Sequence, residues 1–194
     1  MPNAFVFDPA VHGDDRGVFL ESFRAESLEQ ATGRAFDLRQ ANVSVSRRGV
    51  VRGIHFADVP RGQAKYVTVL AGSVIDVVID IRVGSPTFAQ WDSVELTADN
   101  HRAVFISEGL GHLFVATSDS ATVHYLTTDS YRPEREHSLH PLDPTIALRL
   151  PLDAADVILS PRDEAAPSLD DALADGILPR YDDCLAAYAA AARS

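Results

Sequence analysis

The sequence has very little cysteine, a single Cys184 in 194 residues. A lone cysteine excludes an internal disulfide and any metal site built from several thiolates. Long apolar runs are also missing, since none approaches the roughly 18 residues that span a bilayer. The N-terminal stretch MPNAFVFDPAVHGDD has neither the basic nor the apolar region of a signal peptide. We therefore expect a cytoplasmic protein with no membrane partner.

Positive charge is scarce as well. The chain has 17 lysines and arginines against 28 acidic residues, a net charge of −11. This balance disfavours nucleic acid and anionic membrane surfaces as partners. The stretch from Asp153 to Asp183 is especially acidic, as expected of a solvated surface. An anionic ligand would need a local cluster of cations elsewhere in the chain.

The remaining composition, 46% hydrophobic and 23% charged, is that of one globular domain. Residues 74–81 alternate with a period of two, and turn signals recur about every ten residues, so the sequence predicts an all-β sandwich or barrel. One early helix is expected over AESLEQATG, a turn over HGDDRG, and short helices outside the strands near the C-terminus. The predicted strands lie in AFVFDP, GVFLESF, LRQANVSVSRRG, VVRGIHF, AKYVTVLAGSVIDVVIDIR, TFAQWDSVELT, RAVFISEGLGHLFVAT and ATVHYLTTDSY.

The stretch VVRGIHFADVPRGQAK carries polar residues within strand-like sequence. Strict alternation would send Arg52 and His55 to opposite faces, but a bulge at Gly53 would turn both toward one cavity. Lys65 falls on the same strand face as Val67 and Val69, where an unpaired ammonium is costly to bury. A core histidine bonded to backbone is the alternative interpretation of His55, whereas Lys65 favours a functional role.

Four further side chains suit proton transfer. His112 follows a glycine-rich turn, Tyr125 and Tyr131 flank a second turn, and Asp163 lies in LSPRDEAAP. Each has a structural alternative: a turn histidine, core or surface aromatics, and a helix N-cap. Taken together, a base, an orienting carboxylate, a phenol and the Lys65 ammonium form a proton-transfer set.

Several separated stretches resemble the dTDP-4-dehydrorhamnose 3,5-epimerase family. They are DDRGVFLESF, RQANVSVSRRGVVRGIHF, GQAKYVTVLAGSVIDVVIDIRVGSPTFAQWDSVEL, ISEGLGHLFV, YLTTDSYRPERE and LSPRDEAAP, in family order and spacing over roughly residues 5–173. The resemblance implies a cupin-type jelly-roll barrel (a double-stranded β-helix) over residues 1–175. Residues 176–194 are then a C-terminal helical tail, and we expect the chain beyond about Asp175 to have no counterpart in the family.

The same resemblance implies catalytic roles. His55 is the base, Asp163 holds its ring, Tyr125 returns the proton on the other face of the sugar, and Lys65 faces the keto oxygen. This agrees with the chemistry, because inversion needs two groups and an enolate oxygen must be stabilised. The implied reaction is epimerisation of a dTDP-4-keto-6-deoxyhexose, with no cofactor and no metal.

Substrate binding and assembly are implied in the same way. The arginines would hold the diphosphate, aromatic residues would flank the thymine, and a homodimer would exchange N-terminal strands that carry Phe19 and its neighbours. The implied binding residues are Arg16, Phe19, Glu21, Gln40, Asn42, Arg52, His112, Tyr131 and Arg162.

Some positions depart from the family pattern. Ala57 replaces a usual glutamine, and the turn before His112 has Ser107, Leu110, Gly111 and Leu113 where proline, phenylalanine, alanine and glycine are common. Loss of proline frees φ, and leucine adds bulk where we expect the sugar. We therefore expect C3 inversion with C5 inversion slower or absent, as in antibiotic deoxysugar pathways. The alternative is a full 3,5-epimerase of the rhamnose pathway.

Two other classes compete with this interpretation. A metal-dependent cupin oxygenase would need a His-x-His pair in its first motif, but FADVPRG follows His55 and contains no second histidine. A non-catalytic sugar-nucleotide binding protein would keep the arginines and aromatic residues without needing the set of His55, Asp163 and Tyr125.

Overall fold

The computed structural model describes residues 1–192. Within that range the strands are β1 (Ala4–Phe7), β2 (Val11–Asp14), β3 (Gly17–Leu20), β4 (Gln40–Arg47), β5 (Val51–Ala57), β6 (Lys65–Ala71), β7 (Ser73–Ile79), β8 (Trp91–Thr97), β9 (Ala103–Ile106), β10 (Gly111–Ala116), β11 (Ser120–Thr127) and β12 (Glu136–Ser138). The α-helices are α1 (Ala25–Thr32), α2 (Pro161–Glu164), α3 (Leu169–Ala174) and α4 (Tyr181–Ala191), with short 3-10 turns at Pro133–Arg135 and Ala154–Asp156.

Ten strands form two five-stranded antiparallel sheets. The first has the order β1-β9-β6-β11-β4 and the second the order β12-β5-β10-β7-β8, while β2 and β3 pair only with each other. From β4 to β7 and again from β9 to β12, successive strands alternate between the two sheets, so these connections wrap around a shared interior, whereas β7 and β8 pair as a hairpin within one sheet. The predicted all-β jelly roll is confirmed.

The period of two in residues 74–81 separates two hydrophobic cores. Val74 and Val78 face the inner core between the sheets. Ile75, Val77 and Ile79 face an outer core that the C-terminal helices cover. Burying each such side chain contributes about 1.5–3 kcal/mol, so both faces of β7 are strongly specified.

The predicted bulge in β5 is present. His55 pairs with His112 and Arg52 pairs with Phe114, so two residues of β5 oppose Leu113 alone. Gly53 has φ +118°, and a Cβ there would lie 2.3 Å from the carbonyl oxygen of His112. Glycine is required at this position because of both its conformation and this close approach. The extra residue turns Arg52 and His55 toward the same interior.

Helical predictions are confirmed, and two strands were missed. Helix α1 occupies the expected stretch, and α3 and α4 follow at the C-terminus, where Cys184 and Tyr188 are buried. The turn expected over HGDDRG is narrower than predicted, because Val11–Asp14 pairs with β3 as a hairpin. The three-residue β12 was not predicted either, since its partner β5 is far away in sequence. Within residues 1–192 no helix has the length and apolar character needed to cross a membrane.

Candidate active site

Polar side chains gather at one end of the space between the two sheets, here called the barrel mouth. In the first sheet Lys65 pairs with Thr127, and Tyr125, two residues earlier on β11, pairs with Asn42. In the second sheet His55 pairs with His112. Deeper positions on the same faces are apolar and belong to the inner core. Jelly-roll packing thus brings residues from distant stretches of sequence together.

His55 and Asp163 form a hydrogen-bonded pair. The His55 Nε2 lies 2.7 Å from Asp163 Oδ1, with the imidazole one-third exposed and the carboxylate almost fully buried. An ionised carboxylate only accepts hydrogen bonds, so Nε2 carries the proton and Nδ1 keeps a free lone pair. The pair therefore presents Nδ1 as a base.

A helix start fixes Asp163. Ser160 is the N-cap of α2, and its hydroxyl oxygen accepts the backbone N–H of Asp163 at 3.1 Å. The same hydroxyl donates to Asp163 Oδ2 at 2.9 Å. Asp163 lies inside the helix, so the N-cap alternative weighed for it from the sequence belongs to Ser160 instead. Both carboxylate oxygens are thereby satisfied.

The surroundings of the pair favour a neutral His55 imidazole and an ionised Asp163 carboxylate. Burial lowers the pKa of His55 below its ordinary value, although the hydrogen bond to Asp163 partly opposes this. Burial would raise the pKa of Asp163, but hydrogen bonds from His55 and Ser160 and the nearby Arg162 hold it below its usual value. At neutral pH the imidazole is neutral and the carboxylate ionised.

Lys65 is the only lysine in the sequence. Burial lowers the pKa of its ammonium, while the carboxylates of Glu136 and Asp76 oppose that shift. Burial also raises the pKa of Tyr125, with Arg52 opposing and Glu136 adding to the shift. The mouth therefore holds an ammonium of lowered pKa and a phenol that keeps its proton at neutral pH.

His112 belongs to a second histidine–aspartate pair. Its Nε2 lies 2.8 Å from Asp76 Oδ2, on the neighbouring strand β7. This carboxylate is fully buried, and its Oδ1 has no hydrogen-bond partner in the described part of the chain. Burial keeps this oxygen out of reach of a group that enters the mouth from solvent.

Other predicted binding residues of the same chain lie around the mouth. The Arg52 Nε donates to Ser46 Oγ at 3.0 Å, and Arg162 Nη2 donates to the Glu136 carbonyl oxygen at 3.0 Å. A cavity of about 280 Å³ beside the first pair is lined in part by Arg52, His55 and Arg162. Both arginines can therefore reach an anion bound next to His55.

Three further predicted binding residues, Gln40, Asn42 and Tyr131, are joined by hydrogen bonds beside the first sheet. The Gln40 Nε2 donates to Asn42 Oδ1 at 2.7 Å, and the backbone N–H of Tyr131 donates to Gln40 Oε1 at 2.9 Å. The Tyr131 ring is 53% exposed. The structure thus brings these three predicted residues together, with an aromatic face open to solvent.

Three predicted binding residues lie elsewhere. Arg16, Phe19 and Glu21 sit on or beside the β2–β3 hairpin, which pairs with neither large sheet. Arg16 is bonded to Asp14, and Phe19 is 69% exposed. Glu21 reaches Arg24 at 3.4 Å. A single chain does not bring these residues to the barrel mouth.

Sequence reasoning missed Glu136 and the partner of His112. Glu136 lies in the charged run RPERE, and burial raises the pKa of its carboxyl group, with Lys65 opposing. Asp76 stands on an inward position between valines, the same signal that identified Lys65. Within residues 1–192 no three histidine, cysteine, aspartate or glutamate side chains converge as metal ligands.

A neutral imidazole with an orienting carboxylate, a buried ammonium and a phenol form the set that proton transfer next to a carbonyl requires. In a jelly-roll barrel, this set defines a candidate acid–base isomerase. Comparison with known proteins agrees with this class. The family model for dTDP-4-dehydrorhamnose 3,5-epimerase matches residues 1–171.

Named relatives cover nearly the whole chain. A dTDP-4-dehydrorhamnose 3,5-epimerase of Mycolicibacterium smegmatis is 51% identical over 96% of this chain and 91% of its own length. A dTDP-4-dehydrorhamnose 3-epimerase of Streptomyces niveus is also 51% identical, over 92% and 85%. The solved 3'-monoepimerase of Streptomyces bikiniensis in complex with dTDP-quinovose superimposes with a TM-score of 0.95 at 43% identity, covering 99% and 96%.

The chain belongs to the dTDP-4-dehydrorhamnose 3,5-epimerase family, as the sequence motifs predicted. Its cupin-type fold is the fold of that family. The alignment with the Mycolicibacterium enzyme covers 186 residues and so leaves only eight outside. The similarity therefore continues past Asp175, and the expectation that the tail has no counterpart in the family is wrong.

Proposed function

We propose that the protein inverts C3 of a dTDP-4-keto-6-deoxyhexose by removing a proton next to the C4 ketone and returning it to the opposite face. Epimerase activity on this substrate class, predicted from the sequence, is confirmed by the relatives at the level of the family. The carrying observation is the free Nδ1 of His55, since Nε2 is bonded to Asp163 at 2.7 Å.

In the proposed mechanism His55 removes the C3 proton. Its lowered pKa keeps the imidazole neutral before the reaction. Once protonated, the ring is stabilised by Asp163, which already accepts the Nε2 proton. This arrangement favours the imidazolium in the transition state without charging the resting base.

Lys65 stabilises the enolate oxygen that forms when the proton leaves. An ammonium in a partly dry site acts on developing negative charge more strongly than it would in water. Glu136 and Asp76 favour the charged form of this lysine. Two nearby carboxylates thus keep the cation available despite its burial.

Tyr125 returns the proton from the other face. Its phenol has a raised pKa and stays protonated at neutral pH. It lies on the first sheet and His55 on the second, so a sugar held between the sheets meets the two groups from opposite sides. That opposition is what inversion requires.

For the nucleotide, we propose that Arg52 and Arg162 hold the diphosphate and that Tyr131 stacks on the thymine, with Gln40, Asn42 and His112 as polar contacts. Arginine suits diphosphate through its multiple planar donors. The bound dTDP-sugar of the Streptomyces bikiniensis relative supports this ligand class.

We further propose a homodimer in which the hairpin of one subunit supplies Arg16, Phe19 and Glu21 to the mouth of the other. The support is the exposed hairpin, together with the exposed Val43 and Val45 on the outer face of β4. In analytical ultracentrifugation we expect a single species with twice the mass of one chain. A monomer retaining full activity would contradict the proposal.

A cytoplasmic location belongs to the same proposal. It is supported by the membership of the chain in a family of enzymes that act on sugar nucleotides. Cell fractionation with an antibody against the protein tests this.

The regiochemical argument needs one correction. We expected Leu113 to add bulk beside the sugar, but it is fully buried in the outer core. Because His112 faces inward and side chains alternate along β10, Leu113 must face the other way. Leu110 belongs to the inner core, where it is smaller than the phenylalanine common in the family, so the proposed restriction to C3 cannot rest on added bulk.

The test is an NMR spectrum of dTDP-4-keto-6-deoxyglucose incubated with the protein in D2O. Deuterium should enter C3 first. Comparable early rates at C3 and C5 would favour the full 3,5-epimerase, which the Mycolicibacterium relative represents. Deuterium at neither carbon would favour the non-catalytic binding protein.

A further inference from the structure

The turn that joins β9 to β10, residues 107–110, leads directly to His112. Ser107 is 1% exposed, and Leu110 is buried in the inner core. The position of this 107–110 turn therefore determines how closely Leu110 and His112 approach a sugar in the barrel mouth.

Arg34 holds two consecutive residues of the turn. Its Nη2 donates to Ser107 Oγ at 2.6 Å, and its Nη1 donates to Glu108 Oε2 at 2.8 Å. The guanidinium is almost fully buried. A planar, charged group with two fixed bonds restrains geometry more tightly than a single neutral hydrogen bond.

Helix α4 holds the same turn from another side. The Tyr188 hydroxyl donates to the carbonyl oxygen of Glu108, and the Arg34 guanidinium lies 4.2 Å from the centre of the Tyr188 ring. Gly109 has φ +83°, and a Cβ there would lie 2.3 Å from Cys184 Sγ. Three successive turn residues thus contact groups from distant parts of the chain.

Helix α4 is itself anchored to the barrel. Arg82 is fully buried, bonded to Asp80 at 2.7 and 2.8 Å, and donates to the Tyr188 hydroxyl at 3.4 Å. The contacts of the turn therefore continue through α4 to Asp80 and Arg82, just after β7.

We infer that Arg34 and Tyr188 are positioning residues that hold the 107–110 turn against the sugar and so restrict inversion to C3. Inverting C5 would require the sugar to shift or change its pucker past Leu110, and a turn fixed from two sides gives no room for this. Displacements of about 1 Å at such a site change rates by up to about 10²-fold. The inference rests on the proposed function.

Two variants test it. Tyr188→Phe keeps the ring over Arg34 and loses only the hydroxyl, and Arg34→Lys keeps the charge but loses the double contact. In D2O with dTDP-4-keto-6-deoxyglucose we expect the ratio of C5 to C3 deuterium exchange to rise roughly tenfold, while C3 exchange falls by less than tenfold. The KM should stay near the wild-type value, because the nucleotide contacts are untouched.

Asp143→Asn is the matched control. Asp143 is 3% exposed and accepts backbone N–H groups of Thr145, Ile146 and Leu169, away from the turn. The thermal stability of this variant should fall, but its ratio of C5 to C3 deuterium exchange should not change. If either test variant fails to fold, Ser107→Ala replaces it.

The outcomes are separable. A ratio within about twofold of wild type in the folded variants, or the same rise in the control, overturns the positioning role. Absence of C3 exchange in the wild-type protein overturns the proposed function instead.

Discussion

The two histidine–aspartate pairs of the barrel mouth look alike but sit differently. Asp163 comes from a helix outside the sheet, and Ser160 satisfies its second oxygen. Asp76 comes from the strand next to His112, and its second oxygen has no partner in the described residues. The first imidazole is one-third exposed beside a cavity, and the second is nearly closed off. Accessibility rather than hydrogen bonding thus distinguishes the proposed base, His55, from His112.

The strongest test of this difference is His55→Asn. It removes the accessible base and should lower C3 deuterium exchange by about 10²–10⁴-fold, the usual effect of losing an acid–base group. dTDP affinity, measured by calorimetry, should stay within a few-fold because the arginines remain. A variant that keeps more than a few per cent of the wild-type rate would assign the base elsewhere.

Lys65→Met comes next in size. It removes the cation proposed to face the enolate oxygen and should lower kcat by about 10²–10³-fold, as for loss of one oxyanion donor. Lys65→Arg is the matched control for charge alone, and it should recover only part of the rate. Full activity of the Met variant in a stopped-flow or NMR assay would remove Lys65 from the mechanism.

Asp163→Asn should affect both rate and pH dependence. The base survives, so we expect a loss near the lower end of the acid–base range, about 10²-fold. The acidic limb of kcat/KM reports the pKa of His55, which burial already lowers and Asp163 raises. Losing Asp163 should therefore move this limb to lower pH. If the acidic limb stays at the same pH or moves to higher pH, Asp163 does not raise the pKa of His55.

The family resemblance predicted the pair of His55 and Asp163, which lie 108 residues apart, but not the pair of His112 and Asp76. Gly53 predicted the bulge, and the alternation around Lys65 predicted that this residue points inward, whereas the inward position of Asp76 was not recognised. Which strands become neighbours was not readable, because β7 and β10 are joined only through the jelly-roll topology. His112 and Asp76 are 36 residues apart, and nothing local links them. Arg16 and Phe19 could not be placed either, since their predicted site lies on another subunit.

The smallest expected effect belongs to the second pair. Asp76→Asn keeps the shape and an acceptor for His112 but removes the charge that strengthens this hydrogen bond by about 1 kcal/mol, so the rate at neutral pH should fall by less than about tenfold. Its charge, however, opposes the burial that lowers the pKa of Lys65, and that pKa should drop further in the variant.

Because Lys65 is the only lysine, this shift can be measured directly. Reductive methylation with ¹³C-formaldehyde labels Lys65 and the terminal amine alone, and an NMR titration then follows the lysine signal. Glu136→Gln is the matched comparison, and since Glu136 opposes the lowering more strongly, it should move the pKa in the same direction and further. If the lysine titration is unchanged in Asp76→Asn, Asp76 does not influence the pKa of Lys65. If Asp76→Asn loses as much rate as His55→Asn, the two histidine–aspartate pairs are equivalent and accessibility does not distinguish them.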